Sequence, residues 1–204
     1  MSNVTRAALA IGACAASVGL AACGSGTSAT TPSPRATLGA SPSSASSASA
    51  SSTTSAAAAA IALVVADLPS GGPTLTQISD GEMGSQPTTD QRGFANAGNS
   101  YRIEDDVLID TSTQSAAADY PQLRDATKAQ ITTITSTSTP SGLGSQADEY
   151  IGTTSTGYSE IGITFQEGDV IAVLLLDDSA GSVDQTYAEA VAHEQDLKIL
   201  AAER

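Results

Sequence analysis

The residue types that most often carry enzymatic chemistry are scarce in this chain of 204 residues. Its single histidine, His193, lies between Ala192 and Glu194 in a segment that we predict to be helical. A general base needs a nucleophile and an orienting group beside it. The sequence contains no Gly-x-Ser-x-Gly motif, and neither Lys128 nor Lys198 follows a serine by three residues. We therefore predict no catalytic residue, no enzymatic activity and no cofactor.

Carboxylates are the most frequent ionisable groups, since 22 Asp and Glu against 8 Lys and Arg give a net charge of -14. Their densest group, here called the acidic cluster, consists of Glu104, Asp105, Asp106 and Asp110. Consecutive residues of a strand point to opposite faces, so at most two of the four side chains converge easily. One histidine and two cysteines are also too few for the usual zinc site. We predict no metal site, although the pattern leaves open whether the acidic cluster binds a cation.

The reactive side chain with the clearest sequence context is the thiol of Cys23. Residues 1–6 carry a positive charge, and residues 7–20 form an uncharged, mostly apolar run that is too short for a permanent membrane-spanning helix. These features predict a signal peptide over residues 1–22. The segment Leu20-Ala21-Ala22-Cys23 ends it with a nucleophilic sulfur that can accept a diacylglyceryl group and with small residues around which a peptidase can close. This segment resembles the lipobox of bacterial lipoproteins.

The lipobox resemblance implies that Cys23 becomes the mature N-terminus and carries a thioether-linked diacylglycerol and an amide-linked acyl chain such as palmitate. Each buried methylene adds about 0.8 kcal/mol of membrane affinity, so two or three acyl chains anchor a protein firmly. The implied location is the outer face of the cell membrane. Cys14 would leave with the signal peptide, so the mature protein would have no internal disulfide.

Residues 23–60 are predicted to be the lipidated cysteine followed by a disordered tether. From residue 24 to residue 60 the chain has 12 Ser, 6 Thr and 11 Ala among 37 residues. Such a segment buries too little apolar surface to offset its ordering entropy. A flexible chain of this length spans roughly 30–35 Å, which suits a domain held above a membrane. Whether the tether is glycosylated stays open.

The remaining residues, 61–204, are predicted to form one small acidic α+β domain. All 22 acidic residues and only six basic ones fall in this range, so its net charge is -16. A surface of this sign repels phosphate backbones, which argues against nucleic acid as a partner. Hydrophobic patterning predicts an antiparallel sheet with a late β-hairpin, packed by about two helices and preceded by the signal helix and the tether.

The patterning also predicts individual elements before the hairpin. They are a short strand near 75–78, an irregular loop over 81–99, a strand over 100–111, and a helix that starts at Asp119, has Pro121 in its first turn and extends to Ile134. Because residues 140–144 contain proline and glycine, the chain should break again there.

The hairpin is the clearest prediction, because residues 158–165 lead through a turn at Gly168 into an apolar strand over 170–176. That second strand is apolar on both faces and should lie at the centre of the sheet. A last helix should be capped by Ser182 and Gln185. Its expected apolar stripe consists of Tyr187, Ala190, Val191, Leu197 and Ala201.

Four further segments carry a wider resemblance: Leu68-Pro69-Ser70-Gly71, Gly144-Ser145-Gln146-Ala147, Phe165 to Val170, and Ala188 to Leu200. Together with the lipobox and the tether, they resemble surface lipoproteins of actinobacteria. They are turn and core residues, so the resemblance implies an envelope location and no activity.

We therefore predict a non-enzymatic binding or interaction domain. Its expected partners are membrane lipid, through acylated Cys23, and an unknown envelope protein or small ligand. Two alternatives stay open. A solute-binding or sensory lipoprotein would need a sizeable apolar pocket. A hydrolase of envelope polymers, which the sequence favours less, would need carboxylates or His193 facing a cleft.

Overall fold

The computed structural model describes residues 57–81 and 89–203; the predicted signal peptide, Cys23 and the tether up to residue 56 lie outside the described residues. A helical turn at 57–61 and a 3-10 turn at Val65–Asp67 come first. The longer elements are β1 Thr76–Gly81, β2 Thr89–Ala95, β3 Tyr101–Ile109, α1 Thr113–Gln130, β4 Thr133–Ser138, β5 Gln146–Thr153, β6 Ser159–Glu167, β7 Val170–Asp178 and α2 Gln185–Ala202. None of these described helices is both long and apolar enough to cross a membrane.

The strands form one antiparallel sheet in the order β1-β2-β3-β7-β6-β5-β4. β3 and β7 lie side by side at its centre, with Tyr101 opposite Asp178 and Ile109 opposite Val170. β6 and β7 form the late hairpin. The predicted α+β class, with an antiparallel sheet, a late hairpin and packing helices, is thus confirmed.

The two helices lie on opposite faces of the sheet. Neighbouring residues of β6 point to opposite faces, and they pack against different helices. On one face, the hydroxyl oxygens of Thr164 and Thr127 of α1 are 2.7 Å apart. On the other face, Ile163 and Phe165 belong to the same core cluster as Val191 of α2. Cover on both sides explains why β7 is buried from its first residue to its eighth.

The hairpin turn forms where the sequence predicts it, between β6 and β7. Gly168 has a φ of 56°, in the left-handed region that glycine adopts without a steric penalty. A Cβ at this position would also overlap the carboxylate of Glu203, which follows α2. The backbone conformation therefore favours glycine, whereas the exposed Glu203 side chain could move away from an added Cβ.

Two strands occupy segments for which the sequence analysis predicted other structure. The predicted loop over 81–99 contains β2, whose alternation is hidden because Asp90 and Arg92 are buried as an ion pair of 3.2 Å. β4 begins at Thr133, so Ile134 belongs to a strand and not to the preceding helix. Its partner β5 starts soon after the break expected over 140–144.

Both long helices begin differently from their predictions. α1 starts at Thr113, before Asp119, because the side chain of Ser112 accepts a hydrogen bond of 3.1 Å from the backbone N–H of Ser115. Pro121 consequently lies inside the helix and not in its first turn. α2 is capped by the side chain of Asp184, and not by the predicted Ser182 box.

The buried face of α2 also differs from the predicted apolar stripe. Leu197 is 58% exposed, although the stripe includes it. The buried positions are Ala188, Val191, Ala192, Gln195, Asp196 and Ile199. Two of these are polar, and apolar periodicity cannot show a polar residue that packs inward.

Candidate functional site

His193 is half-buried on α2. Burial raises the pKa of the neighbouring Asp196, and the electrostatic effect of His193 partly opposes this rise. Asp196 accepts a hydrogen bond from the backbone of Gly144. This arrangement gives His193 an acidic neighbour, Asp196.

The four carboxylates of the acidic cluster do not converge. Asp105 is on the α2 face of β3, whereas Glu104 and Asp106 are on the opposite face, beside Gln91. Asp110 lies beyond the end of β3. Residues 57–81 and 89–203 contain no group of three His, Cys, Asp or Glu side chains that could hold a metal ion.

An open groove of about 350 Å³ lies between loop 69–73 and the start of α2. We call it the tyrosine groove because Tyr101 of β3 and Tyr187 of α2 both line it. Ser182, Asp184, Thr186 and Ala190 complete its walls. Its volume lies within the range of cavities that hold small ligands.

Tyr101 is the most buried polar side chain of the tyrosine groove. It is 8% exposed, and its hydroxyl has no hydrogen-bond partner among the described residues. Its ring meets the ring of Tyr187 edge-on, with centroids 6.4 Å apart and an interplanar angle of 68°. Burial raises the pKa of Tyr101, and Tyr187 and the nearby carboxylates of Asp178 and Asp184 raise it further.

Gly72 fixes how closely loop 69–73 approaches α2. A Cβ at this position would overlap the ring of Tyr187. Only glycine lets the backbone of the loop lie this close to the Tyr187 ring. The width of the groove therefore depends on the absence of a side chain at residue 72.

The charged side chain that lines the tyrosine groove is a carboxylate. Asp184 lines the groove, and its carboxylate accepts a hydrogen bond of 3.0 Å from the backbone N–H of Tyr187. Asp177 and Asp178 lie close enough to raise the pKa of Tyr101 further. None of the described lining residues is a lysine, arginine or histidine.

A second group of polar side chains hydrogen-bonds to the backbone near the start of the described residues. Four side chains, which we call the N-terminal clamp, bind the backbone of residues 59–63: Arg92, Asp105, Gln195 and Lys198. Lys198 Nζ donates to the carbonyl oxygen of Ala62 at 2.8 Å and to Asp67 at 2.7 Å. Gln195 Nε2 donates to the carbonyl oxygen of Ile61 at 2.8 Å.

Arg92 makes the most contacts in the N-terminal clamp. Its Nη2 donates to the carbonyl oxygen of Ala59 at 2.7 Å, and its Nη1 donates to that of Leu63 at 3.0 Å. Its Nε donates to Asp90 at 3.2 Å. Carbonyl groups at the end of a helical turn lack hydrogen-bond donors within the helix. The guanidinium of Arg92 provides these donors.

Comparison with known proteins gives a structural likeness. No family model and no curated protein matches the chain. Its structure is similar to the extracellular domain of PknH from Mycobacterium tuberculosis, with a TM-score of 0.51 and 10% sequence identity. The match covers 70% of this chain and 94% of that chain. At this identity the likeness shows a shared fold and nothing about ligand or activity.

Sequence reasoning did not find the tyrosine groove. The sequence places Tyr187 in the apolar stripe of the last helix and Tyr101 in the strand predicted over 100–111. The two tyrosines are far apart in the sequence, on β3 and α2, and only tertiary packing brings them together. The Pro-Ser-Gly-Gly-Pro run at 69–73 is the local signal that a backbone approaches another element there.

Proposed function

We propose that this protein is a non-enzymatic binding domain displayed outside the cytoplasm, with the tyrosine groove as its binding site. The observation that carries the proposal is Tyr101, which lines a groove of ligand size and whose enclosed hydroxyl has no hydrogen-bond partner among the described residues. Leaving a buried polar group unsatisfied costs about 1–3 kcal/mol. A ligand that displaces the adjoining tyrosine rings enough to hydrogen-bond to this enclosed oxygen would recover part of that cost.

Attachment to the outer face of the cell membrane through acylated Cys23 is the second part of the proposal. The lipobox-like segment and the preceding apolar run support it. The fold likeness to an extracellular domain is compatible with export. A tether confines the domain near the membrane, and the resulting high effective concentration favours partners at the same surface.

A solute-binding or sensory role is a second candidate, and the volume of the tyrosine groove favours it. About 350 Å³ is near the lower end of cavities that bind small molecules. Hydroxyl and carboxylate groups of Ser182, Asp184 and Thr186 line the groove, so a solute held there would need polar groups of its own. The size of the bound species distinguishes a solute from a segment of an envelope protein.

Photo-crosslinking in intact cells tests the binding site. A photoreactive residue replaces Thr186 or Ala190, which line the groove, or Leu197, which is exposed on the same helix outside it. We expect adducts from the first two positions, and their mass separates a small solute from a protein. Tyr101→Phe should weaken both adducts. Equal adducts from Leu197, or none from the groove positions, would contradict the proposal.

A further inference from the structure

The charged side chain in the wall of the tyrosine groove is the carboxylate of Asp184. The carboxylate of Asp178, which is directly opposite Tyr101 in the sheet, also acts on Tyr101. No described lining residue carries a positive charge, and residues 61–204 have a net charge of -16. An anionic ligand would be repelled both during approach and when bound, whereas a cation would be attracted.

The uncharged groups of the groove also fit a cationic donor. The enclosed hydroxyl oxygen of Tyr101 lacks a partner among the described residues, so it can accept a hydrogen bond from a donor that shifts the adjoining rings to reach it. Tyrosine ring faces attract an ammonium group within about 6 Å of the ring centroid. This protein uses the same contact elsewhere, since Lys128 Nζ lies 5.8 Å from the centroid of the Tyr150 ring.

We infer that the tyrosine groove binds a primary ammonium group on a short alkyl chain, held by the carboxylate of Asp184, the hydroxyl of Tyr101 and the ring of Tyr187. This inference rests on the proposed function, because it names the ligand chemistry of the same site. A free diamine and a lysine side chain of a peptide both present this group. The shared chemistry is the ammonium, and the experiment separates the two sources.

The probes are matched in size and differ in charge. Capped lysine (N-acetyl-lysine methylamide) and cadaverine carry the ammonium, with and without a peptide backbone. Capped norleucine is the neutral control, and capped glutamate is the anionic control. Each is titrated into the isotopically labelled full chain, and the backbone amide shifts of residues 70–72 and 184–190 are followed by NMR.

We expect the ammonium probes to shift these amides in a saturable and salt-sensitive way, while the neutral and anionic probes do not. Tighter binding of capped lysine would indicate a peptide as the source, and tighter binding of cadaverine would indicate a free amine. If capped norleucine or capped glutamate binds as tightly as capped lysine, the inference is overturned. It is also overturned if neither ammonium probe shifts the groove amides. The crosslinking result for the groove would stand in either case.

Variants assign the effect to the named groups. Asp184→Asn keeps a good helix cap but removes the charge, and it should weaken capped-lysine binding roughly two- to five-fold. Tyr101→Phe keeps the ring and should weaken binding roughly ten-fold, because it removes a hydrogen bond to a charged group. Asp125→Asn makes the same charge change at an exposed site outside the groove and should leave binding unchanged. Equal weakening by Asp184→Asn and Asp125→Asn would overturn the inference.

Discussion

The backbone N–H of Leu63 donates a hydrogen bond of 2.8 Å to Oδ2 of Asp105, which lies 42 residues later in the chain. Asp105 is fully buried, and its Oδ1 has no hydrogen-bond partner among the described residues. Burial raises the pKa of Asp105 to about 7, although the hydrogen bond from Leu63 and the charge of Arg92 oppose the rise. The fold therefore favours the protonated form of this carboxyl group.

The free energy of unfolding should consequently decrease as the pH rises from about 4 to about 8. The folded state keeps the proton of Asp105 up to about pH 7, whereas the unfolded chain releases it near pH 3.8. Across this window the folded state therefore binds more protons than the unfolded state, so the free energy of unfolding falls as the pH rises. Burial also raises the pKa of Asp106, which contributes in the same direction.

Asp105→Asn tests this relationship, because asparagine keeps an acceptor oxygen for Leu63 and cannot ionise. We expect the variant to be more stable than the native chain by about 1–3 kcal/mol near pH 8, with a much smaller difference near pH 5. Urea unfolding midpoints at the two pH values measure the effect. Asp125→Asn, at an exposed carboxylate, should keep the native pH slope. A native slope in Asp105→Asn would show that another group controls it.

Arg92→Lys should destabilise the domain by about 2–4 kcal/mol, because lysine cannot reproduce the bonds to Ala59, Leu63 and Asp90 together. Chemical denaturation measures the loss. Arg124→Lys is the matched control, since Arg124 pairs only with exposed Asp125 among the described residues, and the change should be within about 0.5 kcal/mol. Equal effects of the two variants would mean that Arg92 contributes no more than a surface ion pair.

Periodicity predicts the elements that bury apolar residues in sequence order. The β6–β7 hairpin carries such a pattern, with an apolar run on both sides of Gly168, and its prediction is confirmed. The sequence also predicts the antiparallel sheet and the packing helices. These features follow from local alternation and turn chemistry, which a single sequence displays directly.

The remaining features depend on polar residues that pack inward. β2 is missed because Arg92 and Asp90 read as surface residues although they are buried as a pair. The same holds for Gln195, which faces inward from α2 to reach the backbone of Ile61. Burial of these groups depends on partners distant in sequence, so neither the N-terminal clamp nor the tyrosine groove could be predicted from local pattern.

The packed structure includes residues before Ile61, within the segment that the sequence predicts to be tether. Ala58 is fully buried, and the carbonyl oxygen of Ala59 accepts from Arg92. A chain that begins at residue 55 should therefore be more stable than one that begins at residue 61 by about 1–3 kcal/mol, because the shorter chain leaves buried donors of Arg92 unsatisfied. Thermal and urea unfolding measure the difference. Equal stability would place the functional start of the domain at Ile61.

Cys23→Ala should abolish incorporation of labelled fatty acid and either release the protein from the membrane or stall its precursor. The reason is that alanine has no sulfur to accept the diacylglyceryl group. Metabolic labelling and membrane fractionation in the producing cell measure both effects. Cys14→Ala, within the predicted signal peptide, should leave labelling unchanged. Membrane retention of the Cys23→Ala protein would contradict the anchor.

Gly72→Ala should distort the tyrosine groove, because the added Cβ overlaps the ring of Tyr187 and must displace either that ring or loop 69–73. Overpacking of this kind costs about 1–3 kcal/mol, so the unfolding midpoint should fall. Crosslinking from Thr186 should fall with it, since the displaced ring changes the wall of the groove. Gly98→Ala, where a new Cβ meets only side-chain oxygens at 4.0 Å, should leave crosslinking unchanged. Native stability and native crosslinking in Gly72→Ala would show that the loop moves freely and does not set the width of the groove.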